Sequence, residues 1–121
     1  METKYTEEQL EQMTDYYATW VIRNQKEALE LENGTYKIGE INGMRYYELV
    51  EVLGEPTFNE ESFDGKIQVE WVVDYQGSIF TIYDWKTFDR EYTLENLRSW
   101  SIGGVAEDVH LMREFKNEIE A

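Results

Sequence analysis

The stretch "KIQVEWVVDYQGSIFTIYDW", residues 66–85, decides the fold. Ile67, Val69, Trp71 and Val73 alternate with Gln68, Glu70, Val72 and Asp74, the period-two pattern of a strand with one buried face. Gly77 marks a turn, and "SIFTIYDW" returns with β-branched and aromatic residues on both faces. A strand apolar on both faces has to be covered on both, so the second arm is expected to be central in its sheet.

Upstream, "RYYELVEVLGEPT" places Tyr46, Leu49, Val50 and Leu53 at the i, i+3, i+4, i+7 spacing of a short amphipathic helix. Gly54 sits where a helix ends, and Pro56 forbids continuation. Residues 35–41 predict a short strand leading to a turn at Asn42-Gly43. Nearer the start, Thr6 and Gln9 form a capping-box pattern, followed by Leu10, Met13, Tyr17, Trp20, Val21, Ala28 and Leu31. That spacing predicts a long first helix over 7–32, stopped by Asn33-Gly34. Downstream, "KTFDREYTLEN" reads as a loop with a helical turn after Thr93, and "LRSWSI" as a third strand. The last helix, over 105–120, carries Val105, Val109, Met112, Phe115 and Ile119 on one face.

The order predicts a single α+β domain over 1–121. Its sheet is mainly antiparallel with 3–4 strands, and a long N-terminal helix, a short middle helix and a C-terminal helix pack on one side of it.

The chain has 121 residues, 41% of them hydrophobic and 15% aromatic, enough for a real core. Cysteine is absent, which excludes disulfides, thiolate metal sites and cysteine nucleophiles. The start, "METKYTEEQLEQ", has no basic then apolar leader, and no apolar run is long enough to span a bilayer. A cytoplasmic protein with no membrane partner is expected. The net charge is −15, from 26 acids against 11 Lys and Arg, and the excess is spread along the chain. Direct nucleic-acid binding needs clustered cations and is not expected. A basic protein partner suits the charge.

Two resemblances bear on this reading. Residues 46–85, with a short helix, "LGEPT" and a Trp-bearing hairpin, resemble the helix–loop–hairpin unit of the beta-lactamase-inhibitor-protein-like fold. Residues 65–104, "GKIQVEWVVDYQGSIFTIYDWK" followed by "WSIGG", resemble segments of small acidic bacteriophage proteins. That resemblance implies a protein working in the bacterial cytoplasm as an inhibitor of host defence, of the CRISPR or restriction type.

Catalytic chemistry finds little support. His110, the single histidine, has no Ser or Cys motif beside it, and Glu107-x-x-His110 is half of what a helical di-metal site needs. Neither metal nor cofactor is expected. Glu70, Asp74, Asp84 and Asp89 lie on or near the hairpin and offer paired carboxylates for a hydrolase as a remote alternative. Gly103-Gly104 between a strand and a helix resembles half of a phosphate cradle. Glu107 and Asp108 would repel an anion there, so a tight turn is expected instead. If a nucleotide signal did bind, Gly103 and Gly104 would approach it and Trp85 and Trp100 would stack on its base. The leading expectation is a non-enzymatic acidic inhibitor. Carboxylate rows at Glu8, Glu11 and Asp15, and at Glu107, Glu114 and Glu118, would imitate a nucleic-acid backbone and engage a basic, nucleic-acid-handling host protein.

Overall fold

The computed structural model describes residues 20–121. Its elements are helix α1 (Gln25–Glu32), strand β1 (Tyr36–Asn42), helix α2 (Tyr46–Leu53), strands β2 (Glu70–Tyr75) and β3 (Ser78–Tyr83), helix α3 (Arg90–Glu95), strand β4 (Ser99–Gly104), and helix α4 (Val109–Glu120). A 3-10 turn, Ala106–Asp108, leads into α4.

The four strands form one antiparallel sheet in the order β1-β4-β3-β2. The hairpin closes through Gln76 and Gly77 at φ 52° and 88°, the paired left-handed residues that match strand twist. Asp74 Oδ1 accepts from the Gly77 N–H at 2.9 Å. Strand β3 lies between β2 and β4, as its two apolar faces require. The chain is therefore α+β, with an antiparallel sheet.

Alternation divides the sheet into two faces. Trp71, Val73, Phe80, Ile82, Trp100 and Ile102 face one way and meet Leu49 and Leu53 of α2 and Met112, Phe115 and Ile119 of α4 in one buried cluster. Phe115 stacks on Phe80 with centroids 5.2 Å apart, and Trp71 lies edge-on to Trp100 at 5.8 Å. Both indoles are satisfied there: Trp71 donates to Gly54 O at 2.9 Å and Trp100 to Met44 O at 2.8 Å. The other face carries Glu70, Val72, Thr81, Tyr83 and Gly103, and α1 packs against it with Ala28 buried. Helices thus cover both faces, not the one side expected. The doubly apolar β3 demands this.

The first helix is also shorter than its spacing suggests. It begins at Gln25, where Asn24 caps it by accepting from the Glu27 N–H at 2.9 Å. Before it, Val21 bridges Val73 and the Ile22 N–H donates to Val72 O at 2.8 Å. Residues 20–22 thus cover the edge of β2, and tertiary pairing overrides helical spacing. The rest of the expected helix, residues 7–19, lies outside the described residues. The loop expected around residues 86–96 contains α3, which starts before Thr93 because Asp89 caps it, accepting from the Tyr92 N–H at 3.0 Å.

Gly103 and Gly104 require a further correction. They are the last residues of β4, fully in the sheet, and neither has a positive φ. What they supply is absence of volume. A Cβ on Gly103 would overlap Thr81 Oγ1, and one on Gly104 would come within 2.7 Å of Ile38 Cδ1 and 3.0 Å of Phe80 Cδ1. The Gly103→Ala variant is expected to lose about 1–3 kcal/mol by overpacking, read as a lower urea midpoint. Adding Thr81→Ala, which removes the clashing oxygen, should recover most of that loss. An uncorrected double variant would mean the glycine acts through something other than this contact.

Candidate functional site

An α-helix of eight residues is about 12 Å long, and four strands at about 4.8 Å spacing are wider than one helix covers. Helix α1 therefore leaves part of its face open, and a cleft of about 340 Å³ remains. Its walls are Leu29 and Glu32 of α1, Glu70 of β2, Thr81 and Tyr83 of β3, Gly103 of β4, and Trp85 just beyond β3. Small-molecule pockets run from roughly 300 to 1,000 Å³. An adjoining hollow of about 360 Å³, bordered by Phe58 and Phe63, shares Glu32 and Glu70 with the first. The two carboxyls thus stand at the common wall.

Glu70 is held there by register. It opposes Tyr83 across the hairpin, and a mutual hydrogen bond joins it to Glu32 at the C-terminal end of α1. Burial pushes the Glu70 carboxyl up to about 9 from an ordinary 4.5, and the charge of Glu32, their hydrogen bond and the charge of Asp84 add to this. Burial raises Glu32 as well. At neutral pH the Glu70 carboxyl therefore keeps its proton. Tyr83 is also raised, first by burial and then by the charge of Glu70.

Trp85 forms the outer wall. Its side chain is 50% exposed, in contrast to Trp71 and Trp100 at 0% and 1%. It stands edge-on to Tyr83 at 6.2 Å, and the Lys66 and Lys86 ammonium groups lie 5.7 and 5.6 Å from its ring centroid. Two cations gather on one ring in a strongly acidic protein.

The structure separates the other expected site residues. Trp85 and Gly103 meet in the cleft. Gly104 packs under Ile38 and Phe80, and Trp100 is committed to the core, so neither joins them. Glu107, Glu114 and Glu118 are exposed around α4, whose buried face lies on the opposite side of the sheet from the cleft. Glu8, Glu11 and Asp15 lie outside the described residues. Of the hairpin carboxylates, Asp74 braces the turn and Asp89 caps α3. Asp84 is fully buried and accepts from the Gln68 and Val69 N–H groups at 2.8 and 3.0 Å, with the Thr87 and Thr93 hydroxyls 2.6 and 3.1 Å from Oδ2. All its lone pairs serve the fold.

Glu32 is the residue that sequence reasoning missed. It lies 38 positions from Glu70, and no local spacing links them. His110 is exposed, and among the described residues no group of three or more His, Cys, Asp or Glu is placed to hold a metal ion. No helix among them is long and apolar enough to cross a membrane.

The Glu70 shift has a stability consequence with a definite sign. Between about pH 4.5 and 9 the folded chain keeps a proton that the unfolded chain has released, so stability falls as pH rises through that window and levels above it. One fully retained proton makes the slope about 1.4 kcal/mol per pH unit. Glu70→Gln removes the titration. Its stability relative to the parent should rise steadily from pH 5 to 9 in urea titrations, and parallel curves would show that the carboxyl ionises freely. Comparison with protein-family models, curated proteins and solved structures finds no match, so the geometry of this cleft carries the functional reading.

Proposed function

We propose that this is a small-ligand-binding protein whose site is the cleft beside α1. The observation that carries the reading is the meeting of a half-exposed Trp85, the side-chain-free floor at Gly103, and the Glu32–Glu70 pair in one cavity. Such a site combines an aromatic platform with a few convergent polar groups. Glycoside hydrolysis is disfavoured by the same geometry. Carboxyls that divide the work on a glycosidic bond stand about 5–9 Å apart, whereas Glu32 and Glu70 are hydrogen-bonded to each other. The resemblance to small acidic phage proteins supports a cytoplasmic setting in a bacterial host, where sequestering a nucleotide signal would blunt a defence response.

The test is a thermal-shift screen with cyclic and linear nucleotides and with small amines. A ligand at a hundred times its Kd stabilises the fold by about 2.7 kcal/mol, which appears as a rise of several degrees in Tm. Trp85→Ala should cut that rise by about half, as a roughly tenfold loss of affinity requires, without lowering the Tm of the free protein much, because the side chain is half exposed. A screen in which no compound gives a Trp85-dependent shift overturns the reading.

A second surface has its own observation. Glu107, Glu114 and Glu118 are all exposed, and the chain carries a net charge of −15 with three ion pairs among the described residues. This favours a basic protein partner at α4, on the far side of the sheet. Reversing the three charges to Lys should slow association with a basic DNA-binding protein by about tenfold at low salt, with the difference closing as salt screens it. Unchanged association rates at every ionic strength remove this second reading.

A further inference from the structure

We infer that the ligand of the cleft is a guanine nucleotide, its base stacked on Trp85, its N–H edge on Glu32 and Glu70, and its phosphate beside Lys66 and Lys86. The inference rests on the small-ligand reading and names the class of ligand.

Four features converge on it. First, Glu32 and Glu70 both line the cleft, and their carboxyl oxygens are hydrogen-bond acceptors there. Guanine presents adjacent N–H donors at N1 and N2, and acceptors matched to them discriminate strongly, because the wrong base leaves buried groups unpaired. Adenine presents the N1 lone pair where guanine has a donor, and that lone pair would face carboxylate oxygen. Second, Trp85 is the exposed indole, while those of Trp71 and Trp100 are buried and hydrogen-bonded in the core.

Third, the spacing suits one bicyclic ring. Glu70 opposes Tyr83, and Trp85 is two residues further along the same face, a step of about 7 Å. A purine spans that step. Gly103, paired with Thr81 on the other side of Tyr83, also lines the cleft. Fourth, both signs of charge stand near the cleft. Two carboxyls line it, and two ammonium groups, outside its lining, lie over the Trp85 ring at 5.6–5.7 Å. Lys66 is held only loosely, 4.0 Å from Asp64 with both side chains open to solvent. A ligand with a donor-rich head and an anionic tail matches that polarity.

Calorimetric titration of the full chain with GMP, AMP, guanosine and argininamide tests it. GMP should bind at least about tenfold tighter than AMP, the equivalent of one charged hydrogen bond. Glu32→Gln with Glu70→Gln should erase that preference while leaving the fold intact by melting temperature. Trp85→Ala should weaken GMP by about tenfold through lost stacking. Lys66→Ala with Lys86→Ala should bring GMP down to the affinity of guanosine. Equal binding of GMP and AMP, or a preference that survives the double Gln variant, overturns the inference. If argininamide binds in a Trp85-dependent way and GMP does not, the ligand class falls and the cleft reading stands. If no compound binds here and none shifts the Tm in the wider screen, both fall.

Discussion

Asp84 is the constraint on which the placement of the rest depends. A carboxylate withdrawn from water costs several kcal/mol unless other donors replace the solvent. Here the donors come from three separate places: the backbone of residues 68 and 69 entering β2, the Thr87 hydroxyl in the loop after β3, and Thr93 in α3. Satisfying one side chain therefore fixes the entry to the hairpin, its exit and a helix together. Arg90 reinforces the same junction by donating to Gln68 O at 3.0 Å and to Asn59 Oδ1 at 2.6 Å. Side chains alternate along an extended chain, so burying Asp84 turns Tyr83 and Trp85 to the opposite face. Lys86 and Phe88 then hold φ of 57° and 54°, conformations that cost roughly 1–2 kcal/mol each for ordinary residues. The Asp84 network anchors both ends of that strained segment.

The second consequence is unequal cover. One face of the sheet meets two helices and is sealed by large aromatics. Among the described residues the other meets only α1, and residues 20–22 are drawn away to the edge of β2 instead of lengthening that helix. Glu70 and Glu32 are caught at the border of the smaller cover, where water is partly excluded and neither carboxyl has a cation beside it. A pair so placed weakens the fold as pH rises. Such an unfavourable arrangement, lining a cleft with a half-exposed indole, is the pattern that marks functional sites. Asp84 is a useful contrast within the same chain, since its burial is fully compensated and opens onto no cavity.

How much of this was legible follows from how local each signal is. The hairpin, α2 and α4 were readable because their apolar residues repeat with the period of one element, and the central position of β3 followed from its two apolar faces. The first helix was over-read, because Val21 fits helical spacing equally well while pairing with Val73. Gly103-Gly104 carried a true signal with the wrong cause: the need is space beside Thr81, Ile38 and Phe80, which only the sheet register reveals. Trp85 and Gly103, both readable as ligand contacts from their residue types, line one cleft. Glu70 was one of four equivalent acids on the hairpin until Glu32 came beside it. Their pairing is a tertiary fact with no trace in composition or spacing.

The net charge of −15 argues against a polyanionic ligand, and by the same logic against any anionic ligand. That logic averages over the whole surface. Charges are screened beyond about 8–10 Å at ordinary ionic strength, so capture in a cleft responds to the groups within that radius. Around Trp85 those groups include the cations Lys66 and Lys86 together with Asp64, the buried Asp84 and a carboxyl pair in which Glu70 keeps its proton. The exposed acids of α4 stand on the other side of the sheet. A small anion with a donor-rich head meets only these local charges, whereas a long phosphate backbone would have to lie across many square ångströms of acidic surface.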